Sequence, residues 1–174
     1  HRDQRNHIWG FVAQNLVRPV WLSQQQQRAD VVVGNPPWPS YRFMDEKTQQ
    51  RFGEECRRRG IWEGQVAQQQ DLSAYFFARC VELYLKPTGL IAFVMPYAAM
   101  SRRQFTGFRK GVYGQRQGRG FAHVFASIRF TKAWAFSDNV SPLFNVPSCV
   151  LFAKNEGGSR PGPTPATRLP GTVR

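Results

Sequence analysis

The six residues Ala29–Gly34, ADVVVG, followed at once by Asn35-Pro36-Pro37, constrain this chain more than any other stretch. A short uninterrupted run of β-branched residues is the pattern of a strand buried on both faces in a parallel sheet, and two successive prolines stop it because neither can donate to a ladder. A second run of this kind, Leu90–Met95 (LIAFVM), ends at Pro96. Between the two, Asp71 is placed to cap a helix through Tyr75, Phe76, Cys80, Val81, Leu83, Tyr84 and Leu85, which Lys86-Pro87-Thr88-Gly89 terminates. Strand, helix, strand with both strands apolar throughout is a βαβ unit, whose strands pair in parallel through a right-handed crossover. The expected fold is an α/β open sheet.

Around this unit the pattern is less regular. His7–Ser23 is loosely helical until Pro19 interrupts it, and Gln24–Gln27 reads as a polar connector. Trp38–Gln70 is polar and charged, an insertion-like loop region with one short helix at Glu46–Arg58. Ser101–Gly120 carries basic residues, no acid, and a Gly/Gln/Arg-rich end expected to be a flexible loop. Phe121–Phe130 and Pro147–Ala153 read as two further strands in a late antiparallel hairpin, joined by TKAWAFSDNVSPLFNV. Residues 156–174 form a Pro/Gly/Arg tail beyond a folded unit over 1–155.

At 174 residues with 41% apolar residues, the chain has the material of one packed domain. Its formal net charge is +13, unevenly placed: residues 1–82 hold 11 basic and 9 acidic side chains, whereas residues 83–174 hold 13 basic and only Asp138 and Glu156 as acids. A basic half that also contains aromatics points to a polyanionic partner, nucleic acid above all. No apolar stretch approaches the roughly 20 residues of a membrane span, and the opening HRDQRN does not resemble a signal peptide, so a cytoplasmic protein is expected. Cys56, Cys80 and Cys149 are scattered without CxxC or a nearby His, which indicates neither a metal site nor a disulfide framework.

In open α/β sheets ligands bind beyond the carboxyl ends of the strands, and Asn35-Pro36-Pro37-Trp38 occupies that place. The two prolines fix a rigid turn in which the Asn35 side chain and the Pro36 carbonyl can converge as acceptors. Such a pair suits methyl transfer to a planar amine: two hydrogen bonds from its protons favour the pyramidal, nucleophilic nitrogen of the transition state. Trp38 adds a flat surface on which a base can stack, worth about 1–3 kcal/mol.

VVVGNPPW resembles the catalytic motif of the S-adenosylmethionine-dependent amino-methyltransferases, most closely the adenine-specific DNA methyltransferases of restriction-modification systems. LYLKPTGLIAFVMPYAAM resembles the helix and strand that follow that motif, and SPLFNVPSCVLFAKN resembles the family's late hairpin. The resemblance implies that Asn35 and Pro36 accept hydrogen bonds from the target adenine's amino group, that Trp38 stacks on the flipped base, and that Phe144 faces it from the other side. It also implies S-adenosylmethionine as cofactor and DNA as partner. The acidic, Gly-rich loop that binds the methionine end of that cofactor in the family lies before the catalytic motif, and no such loop precedes Asn35. The expectation is therefore a partial Rossmann-like sheet lacking its N-terminal cofactor-binding half, the C-terminal part of a catalytic domain. The remainder of a parent chain, with the cofactor half and a target recognition domain, would complete it.

Arg57, Arg58, Arg59, Arg102, Arg103, Arg109 and Lys110 flank the strand-end region and are candidates for phosphate contact. His123 alternates with Phe121 and Phe125 and reads as a half-buried strand residue, and Ser148 and Cys149 read as packing. The Asn-Pro-Pro-aromatic turn would equally suit a methyltransferase acting on RNA bases or on a protein glutamine; the basic second half favours nucleic acid. A catalytically degenerate DNA-binding remnant is a third reading, supported by the missing cofactor loop.

Overall fold

The computed structural model describes residues 4–62, 69–118, 120–136 and 146–157. The expected break at Pro19 does not occur: Gln4–Leu22 is one helix, α1, with Pro19 in its last turn. A proline so near the end removes one intrahelical bond and leaves the earlier turns intact, and its own carbonyl still accepts from the Ser23 N–H at 3.1 Å. α1 leaves Leu16, Val17, Val20 and Trp21 exposed.

The strand, helix, strand order of the central unit forms as expected, but the helix ends at Tyr84, and Leu85 and Lys86–Gly89 belong to the second strand. Strand β1 is Ala29–Gly34, helix α3 is Leu72–Tyr84 and strand β2 is Leu85–Pro96. β1 and β2 pair in parallel, with Val31 opposite Leu90 and Gly34 opposite Phe93. β2 begins five residues earlier than its apolar run, because Lys86–Gly89 is absorbed as an irregularity between Ala29 and Val31, with Thr88 at a φ of 68°. Asp71 caps α3 as expected, accepting from the Ser73 N–H at 2.8 Å.

Helix α2 spans Glu46–Arg58, but the region around it is not a loose insertion. Phe52, Cys56 and Ile61 join the main core, and Tyr41, Phe52, Trp62 and Tyr75 form a chain of ring contacts with centroids 5.0 to 6.0 Å apart. Gln70, fully buried, ties this region to the segment after β2 by donating to the carbonyls of Ile61 and Gln104.

Beyond β2 come two one-turn helices, α4 (Ala98–Ser101) and α5 (Thr106–Arg109), then strands β3 (Val112–Gln117), β4 (Gly120–Ala135) and β5 (Ser148–Asn155). The Gly/Gln/Arg-rich segment is thus a paired strand and not a flexible loop. A Cβ on Gly114 would collide with the His123 carbonyl oxygen, so glycine is what lets β3 close on β4. The five strands order as β1-β2-β5-β4-β3, parallel in the first pair and antiparallel in the rest. This is the mixed α/β sheet with a late hairpin that the sequence predicts.

Neither β1 nor β2 is buried on both faces. Ile91, Phe93 and Met95 of β2 pack in the core with Ala74, Phe77, Ala78 and Val81 of α3, and Leu151 and Ala153 of β5 continue the same layer. The Phe77 ring stands edge-on to Phe93 and Phe108 at 5.4 and 5.3 Å. On the opposite face Val31 is 58% and Val33 72% exposed, and Leu90 is exposed beside them. The β-branched composition of ADVVVG reports strand propensity; the number of faces covered depends on helices that only the tertiary arrangement supplies.

Candidate functional site

β1 is an edge strand, and the chain leaves it at Gly34, whose Cβ position lies 3.4 Å from the Phe93 ring. Asn35 is exposed, Pro36 buried, Pro37 exposed and Trp38 half-buried. The turn therefore anchors itself through Pro36 and presents the Asn35 amide outward. Its exit is held by backbone bonds: the Leu72 N–H donates to the Pro39 carbonyl at 3.2 Å, Ser40 bridges Asp71, and the Tyr41 N–H donates to the Gln70 carbonyl at 2.9 Å. The start of α3 thus fixes the segment directly after Trp38. Burial raises the Asp71 carboxyl above its ordinary value, against the lowering effect of the Ser73 hydroxyl and N–H.

Three strand ends share this edge of the sheet. β1 ends at Gly34 and β2 at Pro96, while β5 starts at Ser148, paired to Pro96. Tyr97, 41% exposed, follows Pro96 and donates its N–H to the Pro147 carbonyl at 2.8 Å. Tyr97 is an aromatic on the rim that the sequence does not single out; its place directly after the second apolar run is the signal that marks it. Phe144 lies outside the described residues.

The basic residues fall into two groups, one just past α4 and one at the end of α2. Arg102 and Arg103 are exposed just past α4, on the β2 end that carries Tyr97. Arg109 is half-buried, and it spends its guanidinium on the carbonyls of Ala99 at 3.1 Å and Arg102 at 2.8 Å. Desolvation lowers its affinity for the proton, and its geometry makes it a brace for the Arg102 backbone. Lys110 is exposed.

The triplet is elsewhere. Arg58 lies over the Phe125 ring at 4.8 Å and Arg57 over Trp62 at 5.2 Å. Trp62 in turn stands edge-on to Tyr41 at 5.0 Å, three residues past Trp38, so Arg57 lies toward the exit of the turn and Arg58 toward β4. Arg59 does not offer a phosphate contact at all: it is 2% exposed, with Nε on Glu82 at 2.9 Å and Nη1 on Glu55. Burial alone would raise the Glu82 carboxyl, but hydrogen bonds from Arg59 and Arg79 outweigh it and hold Glu82 below its ordinary value. Three adjacent arginines are indistinguishable in sequence, and only the acidic partners packed around them separate the structural one.

Residues 4–34 supply a helix, a Gln-rich turn and a strand, and the glycines after Gly111 belong to the β3–β4 pairing. Burial pushes the Cys149 thiol up to about 12 and the Cys80 thiol to about 11, which disfavours the reactive thiolate at both. Among the described residues no cluster of metal-binding side chains occurs, and no helix is long and apolar enough to cross a membrane.

Comparison with known proteins adds two findings. The sequence profile of the family described as Eco57I restriction-modification methylase matches residues 3–122, which include the Asn35–Trp38 turn, α2, α3 and both groups of arginines. A solved structure from Listeria monocytogenes, described as a putative class I S-adenosylmethionine-dependent methyltransferase, superposes with a TM-score of 0.47 at 16% identity. That match covers 79% of this chain and 35% of the other, so the chain spans about a third of that protein's length. No curated protein matches.

Proposed function

The chain belongs to the Eco57I restriction-modification methylase family, and from that premise we propose that it carries the base-binding side of a DNA adenine methyltransferase. The methyl donor in this reading is S-adenosylmethionine, and the acceptor is the exocyclic amino nitrogen of an adenine turned out of the duplex, since that nitrogen is unreachable inside a stacked pair. The chemistry assigned to the described residues here concerns the acceptor alone.

The Asn35 side-chain oxygen and the Pro36 carbonyl take the two amino protons. Those hydrogen bonds draw the nitrogen toward a pyramidal geometry and free its lone pair from the ring, which is where the amine must be when it attacks a methyl group. No general base is needed in the attacking step, because the amine loses its proton afterwards. Trp38 stacks on the base. Arg102 and Arg103, on the same sheet edge, contact backbone phosphates, with Arg109 holding the Arg102 carbonyl.

The observation that carries this reading is the rigid turn at the carboxyl end of a parallel strand, with an exposed amide, a buried proline and an adjacent indole. Its test is nucleoside analysis after incubating the full-length protein with methyl-labelled S-adenosylmethionine and mixed-sequence duplex DNA. Label in N6-methyladenine is the expected result. Label confined to cytosine, RNA or protein glutamine would overturn it, and DNA binding without any transfer would favour a degenerate binding module.

A further inference from the structure

Helices α2 and α3 enclose a surface groove of about 370 Å3 that the site described above does not use. Its floor is apolar, formed by Phe52, Leu72 and Tyr75, and its α2 rim carries Lys47 and Arg51, one helical turn apart. Both cations are exposed, and neither has an ion-pair partner among the described residues. Glu55 also lines the groove, but its carboxylate is committed to Arg59, with Arg58 4.0 Å away. The groove thus offers uncompensated positive charge above an aromatic and aliphatic floor, at a volume typical of small-ligand sites.

The groove adjoins the catalytic turn. Leu72, one of its lining residues, is the residue whose N–H is bonded to the carbonyl of Pro39, directly after Trp38. A strand whose adenine is stacked on Trp38 must leave the turn in some direction, and on the side of this groove Lys47 and Arg51 are exposed cations that can meet it. Arg57 and Arg58 lie further along the same helix, Arg57 over Trp62 and Arg58 over Phe125, and neither lines the groove.

We infer that the α2–α3 groove seats a nucleotide of the DNA strand that carries the target base, its phosphate held between Lys47 and Arg51 and its sugar and base against Phe52, Leu72 and Tyr75. The inference rests on the DNA reading of the preceding section. It assigns strand contact to two cations that lie outside the arginine triplet and are visible only once α2 is packed beside α3. The phosphate contact is electrostatic, so it contributes to affinity on every sequence and weakens with salt.

The test measures duplex affinity of the full-length protein by fluorescence anisotropy across a salt series, for the wild type, for Lys47→Gln/Arg51→Gln and for Arg57→Gln/Arg58→Gln. Both double variants remove two charges from one helix, so net charge alone affects them equally. The expected result is a several-fold loss for Lys47→Gln/Arg51→Gln, with the slope of log affinity against log salt shallower by about 0.9 per phosphate no longer neutralised, and a smaller change for Arg57→Gln/Arg58→Gln. Equal losses in the two variants, or wild-type affinity and slope in Lys47→Gln/Arg51→Gln, would overturn the groove while leaving DNA binding in place. A wild type that binds no duplex would overturn the DNA reading itself and the groove with it. Competition by deoxyadenosine monophosphate that depends on Lys47 and Arg51, while duplex binding does not, would assign the groove to a free nucleotide and also refute the strand contact.

Discussion

The Leu72 N–H donates to the Pro39 carbonyl at 3.2 Å, so the first helical residue of α3 grips the chain one residue beyond Pro37-Trp38. The cap of α3 therefore bears on the turn as well as on the helix. Asp71→Ala removes the acceptor of the Ser73 N–H and should lower stability by about 0.5–2 kcal/mol in thermal or denaturant unfolding. Asp71→Asn should behave differently, because it keeps the accepting oxygen and discards a carboxylate that burial disfavours. The folded carboxyl sits above its ordinary value, so its favourable contribution is complete below about pH 4 and is lost as pH rises through the folded value. At neutral pH Asp71→Asn should match or exceed the wild type; a drop equal to that of Asp71→Ala would contradict this.

Arg59 joins α2 to α3 through Glu55 and Glu82, and its guanidinium is buried. Arg59→Ala leaves the half-buried Glu82 with only Arg79 and should cost about 3–5 kcal/mol in unfolding experiments. Glu82 titrates below its ordinary value in the folded state, so the stability it confers is present above about pH 4.5 and fades as pH falls through the folded value. Glu82→Gln should flatten the acid limb of the stability profile below that pH. An unchanged acid limb would mean that other carboxylates govern it.

If β3 is a paired strand, its glycines are unequal to those that flank it. Gly114→Ala forces a Cβ into the His123 carbonyl and should destabilise by about 1–3 kcal/mol, whereas a Cβ at Gly120 meets nothing within 4 Å and Gly120→Ala should be close to neutral. Equal small effects at both positions, read from melting curves, would return the segment to a loose loop.

Arg102 and Arg103 lie exposed on the sheet edge beside Tyr97. Charge reversal of both should weaken duplex binding on all sequences and make the salt slope shallower by about 0.9 for each phosphate that is no longer neutralised. A slope equal to that of the wild type would move the path of the DNA away from this edge.

What was legible in the sequence was local. Asp71 announced α3, the apolar runs announced β1 and β2, and a short helix was marked at Glu46–Arg58, where α2 lies. Asn35–Trp38 was legible because prolines dictate backbone shape without help from distant residues. What escaped was non-local. The open face of Val31 and Val33 depends on which faces helices cover, the pairing of Gly114 depends on a carbonyl from β4, and the burial of Arg59 depends on acids contributed by two helices. Pro19 misled for a related reason: its effect is set by how close it lies to the helix end, which periodicity does not mark.

The most direct measurement is single-turnover methyl transfer to duplex DNA by the full-length protein, wild type against Asn35→Ala, with duplex affinity measured in parallel. Asn35 is exposed on a turn anchored by Pro36, so its replacement should spare the fold and the phosphate contacts. The account predicts a rate lower by about 10²–10³-fold, the effect of removing one hydrogen-bonding partner at the reacting centre, with duplex affinity changed by no more than about twofold. A variant that keeps most of the wild-type rate would remove Asn35 from the chemistry and contradict the central claim.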